Sequence, residues 1–273
     1  KPAATKRLEG RGEGVPKGAS LGRVQELIQE LKNMKGSSNS INNSRGEIVS
    51  ELEDHLQYVP QRELDKIAIP LVNTLLQTLQ RINISTMDRT TSENFLVINI
   101  RNIWLEIIRR TSEPLTARVI IQLVTSYGSI KGSSKGAKET RYSITEILED
   151  AAGDSFPASH ISEIHEKILN VLQKIKLPYS LKNEESRKRI EAIWAITFLR
   201  KLQVEGVIEE NIGDNDDIKE ALKNLMHLKG NDKNLLLHYG SLDEAKRILE
   251  GPDEATIALK LNPSNLVAVL NRD

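Results

Sequence analysis

Residues 59–76 read VPQRELDKIAIPLVNTLL and residues 156–173 read FPASHISEIHEKILNVLQ. Each opens near a proline and then repeats apolar residues at intervals of three and four. In the first stretch these are Leu64, Ile67, Leu71 and Leu75, and in the second Ile161, Ile164, Ile168 and Leu172. That spacing lays one apolar stripe along a helix, so two amphipathic helices are expected. The stretches align at an offset of 97, with Pro60 on Pro157 and Asn73 on Asn170. The segments that follow align at an offset of 90, with Ile100 on Ile190, Ile103 on Ile193, Trp104 on Trp194 and Ile108 on Phe198. A shorter connection in the second copy absorbs the difference.

Working outward, Leu79 extends the first helix to about residue 82, and Pro70 inside it is expected to kink or divide it. Upstream, Leu21, Val24, Ile28 and Leu31 mark a helix that Gly36 ends. GSSNSINNS (36–44) reads as a polar linker before a short helix at 47–58. Downstream, a helix is expected from Thr90 to Arg110, and Ser112 caps another that runs to about Tyr127. GSIKGSSKGAKETRYS (128–143), with three glycines spaced by four, reads as a break. Helices resume at 144–151, 158–176, 184–207, 215–229, 233–238 and 241–250. The expected class is all-α: stacked antiparallel helix pairs, either similar to HEAT or armadillo arrays or an irregular helical bundle.

The organisation is then a basic, glycine-rich tail over 1–20, N-terminal helices over 21–58 and a helical core over 59–250. Two related units, 59–111 and 156–201, lie within that core, and short helical turns fill 251–273. Aromatic residues are 4% of the chain, so the core has to be built from Leu, Ile and Val. The 38 basic residues balance the 38 acidic ones, so only local clusters of charge can point to a polyanion. There is no cysteine, which excludes disulfides, thiolate nucleophiles and cysteine-ligated metals. It also favours an intracellular setting, cytoplasmic or nuclear. No apolar run reaches the ~20 residues that span a bilayer.

Chemistry is sparse. The glycines at 128, 132 and 136 follow no strand and end in no Gly-Lys-Ser/Thr, so neither a P-loop nor a dinucleotide fingerprint is present. His160 and His165 are five residues apart and lack HExxH geometry, so they are expected to be surface histidines near a helix start. No catalytic residue, cofactor or metal ligand is assigned, and no enzyme activity is expected. Trp104 and Trp194 are expected in the core.

Basic clusters remain. Lys131, Lys135, Lys138 and Arg141 occupy the glycine-rich loop, and Arg187, Lys188 and Arg189 open the helix that carries Trp194. Lysines on a flexible loop can neutralise phosphates and release counterions. The segment KPAATKR (1–7) resembles the first half of the bipartite nuclear-import signal of nucleoplasmin, without the second basic cluster. The expectation is therefore a non-enzymatic scaffold or adaptor that binds a partner protein. The alternative is a nucleic-acid-binding protein, such as an RNA-binding nucleoprotein or processing factor, that uses the tail and these seven cations.

Overall fold

The structure, a computed structural model, describes residues 21–82 and 91–204. Among them are eight α-helices, one 3-10 turn and no strand. The helices are α1 (Leu21–Asn33), α2 (Asn39–Leu56), α3 (Gln61–Arg81) and α4 (Thr91–Arg110), then α5 (Glu113–Ser129), α6 (Lys135–Ala152), α7 (Ile161–Lys174) and α8 (Leu181–Val204). The 3-10 turn, Ala158–His160, leads into α7. The tail at 1–20, the helices expected at 215–229, 233–238 and 241–250, and the turns at 251–273 lie outside the described residues.

The helices form two layers. The odd-numbered helices pack side by side in the order α1, α3, α5, α7, and the even-numbered ones in the order α2, α4, α6, α8. Directions follow from which ends meet. Asn102 of α4 donates to Glu53 of α2, and Arg110, eight residues on, donates to the Leu56 carbonyl at the end of α2. Lys182 at the start of α8 meets Glu139 near the start of α6, whereas Arg200 reaches the carbonyl of Ala152 at its end. The even helices therefore run parallel. In the other layer Arg81, ending α3, donates to the Met34 carbonyl just beyond α1, and Gly128, late in α5, lies against Val171, late in α7. Each consecutive pair is thus antiparallel, and the pairs stack as the periodicity predicts.

The apolar stripes meet between the layers. In α3 the buried apolar positions are Leu64, Ile67, Ala68, Leu71, Val72, Leu75, Leu76 and Leu79, the pattern of one helix face. Pro70 falls on the opposite, exposed side, and α3 continues through it without division. Its missing N–H deprives only the carbonyl of Lys66, itself an exposed residue that water can reach. Trp104 and Trp194 are both fully buried, in α4 and α8, as expected.

Two boundaries differ from the sequence reading. Helix α2 starts at Asn39, inside the expected linker, and α6 starts at Lys135, inside the expected loop. Each follows a serine cap: Ser38 Oγ accepts from the N–H of Ile41 at 3.3 Å, and Ser134 Oγ from that of Ala137 at 3.1 Å. A capping hydroxyl satisfies one of the otherwise free first-turn amides. The glycines that seemed to break the chain serve other ends. Gly132 takes a positive φ of 86° in the turn, while Gly136 lies within α6 where a Cβ would come 2.2 Å from the carbonyl oxygen of Gln80.

Candidate partner-binding surface

The turns α1–α2, α5–α6 and α7–α8 fall on one edge of the two layers, because the odd helices end there and the even ones begin. The four cations expected in one mobile loop sit on this edge in different settings. Lys131 is exposed in the α5–α6 turn, Lys135 is exposed at the first position of α6, and Lys138 is partly exposed one turn later. Arg141 is fully buried and is not available to a phosphate. Its Nη1 donates to the carbonyl of Ile130 at 3.1 Å, its Nη2 to that of Gly132 at 3.0 Å and its Nε to Asn183 Oδ1 at 3.1 Å. The guanidinium fork clamps the turn that precedes its own helix. Burial lowers its pKa below the ordinary arginine value.

The same clamp occurs in the first helix pair. Arg45 is buried in α2, and its guanidinium donates to the carbonyls of Met34 at 3.2 Å and Gly36 at 2.8 Å and to Asn42 Oδ1 at 2.9 Å. Gly36, like Gly132, has a positive φ, here 97°. The sequence carries a sign of this: KGSS at 35–38 recurs at 131–134, and each glycine precedes its arginine by nine residues. The recurrence is hidden when one stretch is taken as a polar linker and the other as a break.

Beyond the clamp, α6 presents Tyr142 at the centre of a charged cluster. Arg189 lies over its ring at 4.3 Å and donates to its hydroxyl at 3.0 Å, while Lys182 and Arg101 stand 5.3 and 5.5 Å from the ring centre. Glu139, almost fully buried, pairs with both Arg101 and Lys182. This cluster ties α4 and α8 to α6. Of the second set of cations, Arg187 pairs with the buried Glu191, Arg189 belongs to the Tyr142 cluster and Lys188 is exposed. The two predicted clusters therefore meet only through α6 and α8, and part of each is structural.

Nearer the edge the same face turns apolar and basic. Phe95 and Ile98 of α4 are 50% and 44% exposed, one turn apart and preceding Arg101 on that face. Neither belongs to the buried stripe of Leu96, Ile100, Ile103, Trp104 and Ile107. Phe95 is thus an aromatic side chain held on the outer side of its helix. Tyr179 and Leu181, flanking the start of α8, are also largely exposed.

His165 corrects a further expectation. It is fully buried, one turn after Ile161 on the apolar stripe of α7, with its ring against Trp194 and Phe198 at 5.4 and 5.7 Å and its Nδ1 3.2 Å from Thr197 Oγ1. Its place on the stripe decides its burial. Among the described residues no group of three or more His, Asp or Glu could hold a metal, and no helix is long and apolar enough to cross a membrane. No protein-family model, curated protein or solved structure matches the chain.

Proposed function

We propose that this chain is a non-enzymatic scaffold that binds a partner protein on the outer face of its even-numbered helices. The observation that carries the reading is the exposed pair Phe95 and Ile98, held on a helix whose other face is anchored by Ile100, Ile103 and Trp104. A rigid array that displays apolar side chains next to lysines is suited to holding another chain. The recurrence of the arginine clamp, with the matched Trp104 and Trp194, supports reading α1–α4 and α5–α8 as two copies of one ancestral HEAT-like unit. The absence of cysteine suits an intracellular setting, cytoplasmic or nuclear.

Nucleic acid is the second reading. The exposed lysines at 131, 135 and 188 favour it, with Arg141 removed from the contact set. Cross-linking in the cells that make the protein, with and without nuclease, separates the two. The scaffold reading predicts protein cross-links from Lys131, Lys135 or Lys138 that survive nuclease. It fails if every cross-link disappears on digestion and the purified chain binds arbitrary RNA near ~50 mM salt, where phosphate contacts are strongest.

A further inference from the structure

Resting on the scaffold reading, we infer that the partner segment is an acidic amphipathic helix, docked across the starts of α4 and α6. Parallel packing fixes the geometry of this surface. Arg101 of α4 stands opposite Glu139 and Ser143 of α6. Ile98 and Phe95 lie one and two turns before Arg101, while Lys138 and Lys135 lie one and two turns before Tyr142 on its own stripe. The two apolar and two basic side chains therefore occupy the same end of neighbouring helices, whose axes pack about 8–10 Å apart. Lys131 adds a third positive charge in the adjoining turn.

Charge complementarity selects the occupant. The first turn of α6 contains no acidic residue, and the nearest carboxylate, Glu139, is buried and already held by Arg101 and Lys182. Glu184 and Glu185 are exposed on α8, which bounds the positive field on that side. Among the described side chains, the remaining strip is apolar along the α4 flank, at Phe95 and Ile98, and basic along the α6 flank, at Lys135 and Lys138. A helix with apolar residues at i, i+3, i+4 and i+7 covers the first flank, and carboxylates beside that stripe meet the second. Nucleic acid would use the lysines but has little use for Ile98, an aliphatic side chain on which no base stacks.

The probe is a fluorescein-labelled synthetic helix of Leu and Glu with that spacing, titrated with the full chain and followed by anisotropy. Controls are a peptide of the same composition with the stripe scrambled, and a single-stranded RNA of equal charge. The inference expects binding of the patterned peptide only. It expects Phe95→Ser with Ile98→Ser, and separately Lys135→Glu with Lys138→Glu, each to weaken that binding on the order of tenfold. All four positions are at least partly exposed, so both variants are checked for unchanged melting before titration. Equal binding of the scrambled peptide, indifference to the apolar pair, or displacement by RNA overturns the inference. Repeating the nuclease-resistant cross-linking with the quadruple variant isolates the surface from the scaffold reading. A partner retained by the variant overturns the site while the scaffold stands; no protein cross-link from the unaltered chain overturns both.

Discussion

Two buried arginines do the most to define the turn edge. Arg141 and Arg45 each hold part-buried main-chain carbonyls of a turn and the side-chain oxygen of a buried asparagine, Asn183 and Asn42. Arg141→Leu should cost about 1–3 kcal/mol, the penalty for stranding such acceptors. Arg141→Lys should recover little, because a point charge cannot replace the planar fork. Lys135→Ala, at an exposed position, should stay within ~0.5 kcal/mol. Urea denaturation reads all three, and an Arg141→Leu protein of unaltered midpoint would contradict the clamp. The tryptophans make a second test, since Trp104→Ala and Trp194→Ala should each cost about 3–5 kcal/mol through the cavity left behind. Tyr127 gives a pH signature. Burial, partly offset by its hydroxyl contact with Ser186, pushes its pKa from 10.0 up to about 12. Between those values the unfolded chain has released the phenolic proton and the folded one has kept it. Stability therefore falls as pH rises through that window. Tyr127→Phe should lose less stability between about pH 10 and 12 than the parent, and equal losses would show that the phenol does not contribute. The Trp burial was legible because aromatic residues amid isoleucines on a stripe have one sensible place. The buried Arg141 was not, because a basic residue among Gly, Ser and Lys looks solvated until the carbonyls around it are known.

At the level of elements, periodicity located the long helices and missed the polar first turns of two. Residues 39–46 and 135–143 hold Asn, Ser, Lys and Glu, whose side chains give no apolar stripe. What makes them helical is a serine cap before each and an arginine that reaches back over the turn. Ser38→Ala and Ser134→Ala should each cost about 1 kcal/mol, as loss of a cap does. Hydrogen exchange should show protected amides from about residue 42 in α2 and 138 in α6. Rapid exchange up to residue 47 and up to 144 would restore the linker and the loop. Trypsin should spare Arg141 in the folded chain while Lys131 stays open to it, because Arg141 is buried and Lys131 is exposed.

At the largest scale, the eight helices among the described residues make four antiparallel pairs whose odd and even members form separate parallel layers. Among the described helices α1 lies at one end of the array. Its inner side buries Val24, Leu27, Ile28 and Leu31, while Gln25, Glu26, Gln29 and Glu30 are exposed. The offset alignment of 59–76 with 156–173 already contained the pairing, since each stretch places a proline-led helix before a tryptophan helix. The layer directions were not legible, because they depend on contacts such as Glu53 with Asn102 that no spacing rule reports. The proposed surface depends on those directions, as it needs Phe95 and Ile98 beside the start of α6. The chain has no native cysteine, so introduced pairs can be cross-linked without background. Glu53→Cys with Asn102→Cys, treated with a short bismaleimide, should cross-link rapidly within the monomer. Gly46→Cys with Phe95→Cys, seven residues back on both helices, should cross-link rapidly too, whereas antiparallel helices would hold those thiols about 20 Å apart. A slow Gly46–Phe95 reaction beside a fast Glu53–Asn102 one would contradict the parallel even layer and the surface built on it.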